Sequence, residues 1–183
     1  MVRTVALVVA VVICAVLAYA ATRPDSMHVQ RAATIKAPAD RIFPLITDFR
    51  RWGAWSPYEK IDPAMKKAYS GAPTGKGAVY EWEGNSNVGQ GRMEITETTQ
   101  PSRVTIKLDF MKPLEGHNVA EFVLVPRGDS TEVTWTMDGP SPYLGKLIGV
   151  FMNMDKMIGS QFETGLGNLK TIAEASPAAH AGR

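Results

Sequence analysis

The stretch Val104-Thr105-Ile106-Lys107-Leu108-Asp109-Phe110 alternates apolar and polar residues more strictly than any other part of the chain. Successive side chains of a β-strand point to opposite faces of a sheet, so the pattern predicts a strand with one buried and one solvated face. Similar segments flank it and cover residues 28–37, 66–70, 78–83, 91–98, 118–125 and 133–138. Turn-forming residues mark the short links between the middle and later segments, which predicts an antiparallel sheet with a single apolar face.

The apolar face of this sheet needs a cover, and the C-terminal residues 143–175 are the candidate. Apolar residues recur there at three- and four-residue spacing, as is typical of an amphipathic helix. They are Met154, Met157, Ile158, Phe162, Leu166 and Leu169. The same segment contains Gly159, Gly165 and Gly167. Each glycine costs a helix about 1 kcal/mol relative to Ala, which is acceptable where the helix lies close against the sheet or leaves room for another molecule.

The N-terminus carries an uninterrupted apolar run over residues 5–21. As a helix the run reaches roughly 26 Å, at the short end of what crosses a bilayer. Two interpretations stay open: an uncleaved single-pass anchor, or a signal peptide cleaved near Ala20. We favour the anchor because the run continues through Tyr19, an aromatic residue suited to the interface, before Arg23. Arg3 favours a cytoplasmic amino terminus, which predicts an extracytoplasmic domain; cleavage would instead give a secreted or periplasmic protein.

The remaining chain has the size of one domain. We assign residues 1–22 to the anchor or signal segment, 23–27 to a linker, 28–175 to the domain and 176–183 to a disordered tail. The 20 basic and 18 acidic residues give a net charge of only +2, so the chain has no large positive excess that would attract nucleic acid. The only cysteine, Cys14, lies in the apolar run, so the domain has no disulfide and no thiol nucleophile.

Four segments resemble a known superfamily. Residues 33–43 read Ala-Thr-Ile-Lys-Ala-Pro-Ala-Asp-Arg-Ile-Phe, and residues 48–57 read Asp-Phe-Arg-Arg-Trp-Gly-Ala-Trp-Ser-Pro. Residues 91–97 and 101–104 read Gly-Arg-Met-Glu-Ile-Thr-Glu and Pro-Ser-Arg-Val. With the order of elements, these segments resemble the SRPBCC superfamily of START and birch-allergen-like proteins, and more closely its polyketide cyclase/dehydrase-like branch.

The resemblance implies an α+β helix-grip fold, in which a curved antiparallel sheet wraps around a long C-terminal helix. It also implies an apolar cavity between the sheet and that helix. Members of the superfamily include lipid and hormone carriers, cyclases and proteins without demonstrated chemistry, so the resemblance alone does not make this chain an enzyme.

The residues themselves offer no catalytic constellation. His117 is the obvious acid or base, but the alternation that turns Asn118 inward turns His117 outward. The three histidines have no metal-ligand spacing, and no serine sits in a nucleophile elbow. No glycine-rich loop opens a helix to hold a phosphate. We therefore predict no catalytic residue, metal or cofactor.

Ligand-binding residues are predicted from the inward faces of the strands and the C-terminal helix. Asn118 is the one inward polar side chain expected to orient a ligand, while Trp52 and Trp55 either line the mouth or fill the core. Methionines in the set can adapt to varied apolar ligands. The predicted set is Trp52, Trp55, Tyr80, Trp82, Met93, Leu108, Phe110, Asn118, Phe122, Trp135, Met154, Met157, Ile158 and Phe162.

Three functions follow from these patterns. The first is a membrane-anchored or exported protein that binds a small hydrophobic molecule such as a lipid, isoprenoid or polyketide-like compound. The second is a cyclase or dehydratase acting on an apolar substrate, with Asn118 or His117 moving protons. The third is a non-catalytic scaffold at the membrane that docks a partner through an exposed edge at Arg50-Arg51 and the two tryptophans. We favour the first.

Overall fold

The structure is a computed structural model that describes residues 1–175; the predicted tail, residues 176–183, lies outside the described residues. The helices are α1 (Val2–Ala21), α2 (Ala39–Thr47), α3 (Trp52–Trp55), α4 (Tyr58–Ile61), α5 (Tyr143–Phe151) and α6 (Met154–Ala175). The strands are β1 (Ser26–Ile35), β2 (Lys66–Gly71), β3 (Ala78–Glu83), β4 (Gln90–Thr99), β5 (Arg103–Lys112), β6 (Gly116–Arg127) and β7 (Ser130–Pro140). A 3-10 turn at Phe49–Arg51 precedes α3.

The seven strands form one antiparallel sheet in the order β1-β7-β6-β5-β4-β3-β2. The alternation that opened the sequence is confirmed, because Val104 and Ile106 are fully buried while Lys107 is exposed. The register of β4 against β5 shifts between Ile95 and Glu97, and such a bulge bends a strand. With α6 closing the sheet, the architecture confirms the predicted α+β helix-grip fold.

Two of the three glycines of α6 mark close approaches of the helix to its neighbours. A Cβ on Gly159 would overlap a guanidinium nitrogen of Arg31, which reaches across from β1 to Asp155 and Glu163. A Cβ on Gly165 would lie 2.9 Å from the Trp135 ring. At these two glycines the helix lies close against its neighbours, most tightly at Gly165, where the neighbouring atoms belong to the Trp135 and Pro57 rings.

The C-terminal segment is two helices, where the sequence pattern indicated one continuous cover. The chain breaks at Met152 and Asn153, and the Asn153 side-chain oxygen accepts a hydrogen bond from the backbone N–H of Lys156 at 2.9 Å. This is an N-cap interaction, which begins a new helix. The break leaves α6 as the long helix of the grip, and α5 instead packs against α1.

The packed core occupies one end of the space between sheet and helices. Ile35, Ile46, Leu124, Leu166 and Leu169 are among its fully buried side chains. An aromatic cluster limits this packed region, and in it the rings of Trp135 and Phe162 stack with centroids 4.0 Å apart. Beyond these rings the space is open, and the candidate site lies there.

Helix α1 is long and apolar enough to cross a membrane, and most of its surface is exposed. Its C-terminal end is the exception. Ala20 is completely buried, and α1 contacts α5. The Tyr143 hydroxyl of α5 donates a hydrogen bond to the Leu17 carbonyl at 3.0 Å. The last turns of α1 are thus packed onto the domain.

Candidate functional site

A cavity of about 1080 Å³ lies between the open half of the sheet, the first turns of α6 and helix α5. Strands β3 to β7 supply inward side chains to its wall because alternate residues of each strand face the helices. Most of the lining is apolar, which is the usual character of a site for a small organic molecule. The size and the lining of the cavity therefore fit a small hydrophobic ligand.

Twelve of the fourteen predicted ligand-binding residues lie on the cavity wall. They are Trp52, Tyr80, Trp82, Met93, Leu108, Phe110, Asn118, Trp135, Met154, Met157, Ile158 and Phe162. The Trp82 ring packs directly against Gly91, where a side-chain Cβ would overlap the ring. The structure thus brings together residues that are scattered over several strands and two helical regions.

Trp55 and Phe122 are not on the wall. Both are fully buried, and both contact Trp135 from the packed core, with ring centroids 5.7 and 4.8 Å from it. The Trp55 indole N–H donates to the Leu45 carbonyl at 2.9 Å, so this ring is fixed as a core residue. Inward direction alone did not separate wall from core, because the position of α6 decides which inward side chains are covered.

The burial of both tryptophans also corrects the predicted docking edge. Trp52 is 4% exposed, and its indole N–H donates to the Ile46 carbonyl at 2.9 Å. A buried indole that is hydrogen-bonded to the backbone offers no surface to a partner. The edge at Arg50-Arg51 therefore lacks the aromatic residues that the scaffold function needs.

A buried carboxylate that no sequence pattern indicated also lies on the wall. Glu59, on α4, accepts a hydrogen bond from the Tyr80 hydroxyl at 2.6 Å and is paired with the Lys67 ammonium group of β2. Burial, together with this hydrogen bond, raises the pKa of Tyr80 well above its usual value. The phenol therefore stays protonated and donates to Glu59. Nothing in the sequence pattern around α4 distinguishes Glu59 from a surface residue.

Two further polar groups on the wall have no partner within the part of the chain that the structure describes. The Asn118 side chain is buried and packs over Gly139, where a Cβ would overlap its oxygen; it makes no side-chain hydrogen bond among residues 1–175. The Trp135 indole N–H is also buried without a hydrogen-bond partner in that range. An unsatisfied buried donor costs about 1–3 kcal/mol. The Trp135 nitrogen has almost no accessible surface, so of these two groups only the Asn118 amide is open to a ligand in the cavity.

His117 lies on the opposite face of the sheet, as its alternation predicted. Its side chain is 73% exposed and is hydrogen-bonded to Asp109 at 2.7 Å. Burial of Asp109 opposes its ionisation, but the hydrogen bonds from His117 and Lys107 outweigh this and lower the pKa of Asp109. The pair is hydrogen-bonded at the surface, outside the cavity wall, so it cannot reach a ligand held there.

The mouth of the cavity lies between α5 and the β5–β6 hairpin. Leu144, Phe151 and Met152 border it on one side, and Pro113 and Leu114 on the other. The linker after α1 is held against α5 because Lys146 forms a 2.5 Å ion pair with Asp25, and Lys146 itself is buried. The mouth is therefore next to the C-terminal end of α1.

Comparison with protein families gives a match over residues 26–174 to the family described as polyketide cyclase / dehydrase and lipid transport. Comparison with curated protein sequences gives no match. The family match covers β1 to α6 and leaves out α1.

Several solved structures share the fold. Protein CV1439 from Chromobacterium violaceum superimposes with a TM-score of 0.59 at 13% identity, over 84% of this chain and 100% of that chain. Ginseng major latex-like protein 151 from Panax ginseng superimposes with a TM-score of 0.56 at 15% identity, over 82% of this chain and 99% of that chain. DynU16, a putative protein in the dynemicin biosynthetic locus, gives 0.55 at 17% identity, over 84% of this chain but only 48% of its own. At these identities the similarity shows the fold alone.

Proposed function

Because the chain belongs to the polyketide cyclase / dehydrase and lipid transport family, we propose that it is a membrane-anchored protein that binds a small hydrophobic molecule in its cavity. The observation that carries this proposal is the 1080 Å³ apolar space between the sheet and the two C-terminal helices. A protein interior is normally close-packed, with few voids larger than a water molecule. A space of this size is therefore a feature to be explained, and a bound apolar molecule explains it.

The polar groups on the wall indicate the shape of the ligand. Glu59 with Tyr80 and the Asn118 amide are two polar positions on a mostly apolar wall. This arrangement favours a molecule with an apolar body and one or two polar groups, such as a hydroxyl or carbonyl. Lipids, isoprenoids and polyketide-like compounds have that shape.

Uptake of a fluorescent lipid by the full-length protein in mild detergent tests the proposal. We expect cis-parinaric acid, a polyene fatty acid, to gain fluorescence on binding and to be displaced by unlabelled apolar competitors. A wild-type protein that takes up neither this lipid nor a polycyclic aromatic compound would contradict the proposal.

We propose further that α1 is retained as the anchor. Cleavage near Ala20 would remove the buried Ala20 side chain and the Tyr143 hydrogen bond to Leu17. N-terminal sequencing of the mature protein tests this, since a new terminus at Ala21 would contradict it. We also propose an extracytoplasmic domain, and protease digestion of intact cells and of inverted membrane vesicles tests that orientation.

A second candidate is an enzyme of the cyclase or dehydratase type. It is favoured by one observation, the buried Glu59 carboxylate in hydrogen-bond contact with the Tyr80 hydroxyl on the cavity wall. Such a pair can move a proton to or from a bound substrate. Glu59→Gln would then abolish turnover of a bound substrate while binding is retained, and His117→Ala would leave turnover unchanged. Equal turnover by wild type and Glu59→Gln would remove the assignment.

A further inference from the structure

Helix α5, the break that follows it, the first turn of α6 and the β5–β6 hairpin expose apolar side chains around the cavity mouth. We call this set the apolar rim, and it consists of Leu114, Leu144, Phe151, Met152 and Met157. Phe151 is 74% exposed and Leu144 51%. Large side chains scattered singly over a surface are ordinary, but a contiguous apolar patch marks a contact with a protein or a membrane. The apolar rim borders the opening together with exposed charged residues such as Glu115 and Asp155, so what the rim contacts also controls access to the cavity.

The position of the apolar rim relative to α1 is fixed by packing. Tyr143 at the start of α5 is hydrogen-bonded to the Leu17 carbonyl of α1. The backbone N–H of Ser141 donates to the Asp25 carbonyl at 2.7 Å, and the Asp25 carboxylate is paired with Lys146. Thus α5 is held at both the last turn of the apolar helix and the linker after it.

This packing sets the depth of α5 if α1 crosses a bilayer. Tyr19 and Arg23 are residues that lie at the membrane interface in anchors of this kind. Leu17 is six residues before Arg23, or about 9 Å along a helix. A helix that contacts Leu17 therefore lies within the 5–10 Å zone where interfacial helices insert their apolar faces.

The composition of α5 fits that environment. Its sequence, Tyr-Leu-Gly-Lys-Leu-Ile-Gly-Val-Phe, has Lys146 as its one charged residue, and that charge is buried and paired. No charge on α5 itself opposes insertion of Leu144 and Phe151 into lipid. The surface is continuous with the membrane-spanning surface of α1 through the α1–α5 contact.

We propose that the apolar rim inserts into the bilayer that α1 crosses, so that the cavity opens into the lipid phase and its ligand is a lipid taken directly from the membrane. The mouth then never faces bulk water, and an insoluble ligand enters without leaving an apolar environment. The surface is a bilayer contact, and the lipid is the ligand of the binding function proposed above, on which this inference rests.

Depth measurements on the reconstituted full chain test the insertion. Cys14→Ala removes the natural thiol, and Phe151→Cys or Leu114→Cys then carries an environment-sensitive NBD fluorophore. The protein is placed in vesicles of phosphatidylcholine with a minority of phosphatidylglycerol. We expect lipid-borne quenchers to quench both labels. The control is Val119→Cys, because Val119 is 45% exposed on the other face of the sheet, and its label is expected to stay in water. Labels on the rim that are as aqueous as the Val119 label would overturn the proposal.

Transfer kinetics separate this inference from the binding function itself. Cis-parinaric acid is offered either from vesicles or as a dilute aqueous solution to the Leu144→Asn/Phe151→Asn variant. Each substitution removes a side chain whose burial is worth enough to change an equilibrium about tenfold. We expect the ratio of the vesicle rate to the solution rate to fall about tenfold or more relative to wild type. An unchanged ratio overturns the insertion of the rim, whereas wild-type protein that takes up the lipid from neither source overturns the binding function.

Discussion

A larger side chain placed at Ala120 tests whether the space between the sheet and the helices is an open cavity or a packed core. Ala120 lies on β6, on the cavity wall, and is 6% exposed. Its direct cross-strand neighbour on β5 is Ile106, which is fully buried and belongs to the packed core. Ala120→Phe and Ile106→Trp each add six heavy atoms to the inward face of the sheet, so they form a matched pair.

The two variants differ in what the added atoms meet. At Ala120 the ring enters empty space and buries roughly 100 Å² of apolar surface, worth at most about 2.5 kcal/mol. Ordering the ring removes part of that gain, so we expect a change between zero and about 2 kcal/mol of stabilisation. At Ile106 the added atoms have no space, and overpacking costs about 1–3 kcal/mol.

Thermal unfolding of the full-length protein in detergent measures both effects, with and without a bound lipid. A ligand at a hundred times its Kd stabilises wild type by about 2.7 kcal/mol, and Ala120→Phe should lose most of that increment. If Ala120→Phe is instead as destabilising as Ile106→Trp, the space beside Ala120 is packed and the reasoning fails.

Three further predictions concern stability. A Cβ added at Gly167 would meet nothing within 4 Å, so Gly167→Ala should stabilise the protein by about 0.5–1 kcal/mol through helix propensity; Gly165→Ala, which meets the Trp135 ring, should destabilise it in the same thermal assay. Glu59→Leu leaves the Tyr80 hydroxyl without its partner and should cost about 2 kcal/mol, with a smaller loss in Glu59→Gln. A hydrogen bond with Asp138 raises the pKa of His28 above its usual 6.5, so this pair stabilises the fold below about pH 6.5, and the contribution is lost as the pH rises through the raised value.

Each of these has a result that would contradict it. Equal effects of alanine at positions 165 and 167 would show that the helix does not approach the sheet as described. A neutral Glu59→Leu would show that the carboxylate is not buried. The stability difference between wild type and His28→Gln should stay below about 1 kcal/mol, because the His28–Asp138 pair is exposed. If this difference is the same at acidic and alkaline pH, the predicted loss of stabilisation with rising pH is wrong.

The sheet could be predicted from the sequence because each strand carries its own alternation. Residues 104–110 show this best, and the inward faces of the neighbouring strands were identified in the same way. Seven of the twelve predicted residues on the wall lie on strands and follow from that local signal, while four follow from the helical periodicity of α6. The boundary between wall and core could not be predicted, since Phe122 and Trp135 alternate equally well and only the path of α6 separates the two environments.

Features that depend on contacts distant in sequence were missed. Glu59 becomes a buried site residue only because β2 and β3 bring Lys67 and Tyr80 to it. The division of the C-terminal segment into α5 and α6 had a local signal, the Asn153 cap, but the apolar periodicity on both sides of it favoured one helix. That division matters because it places α5 at the mouth of the cavity.

Native mass spectrometry of the full-length protein, purified in mild detergent, tests the central claim most directly. We predict that wild type carries a bound apolar compound, one molecule per chain, and that Ala120→Phe prepared in parallel has lost it. If wild type carries nothing, and takes up no lipid when lipid is added, there is no ligand cavity between the sheet and the C-terminal helices.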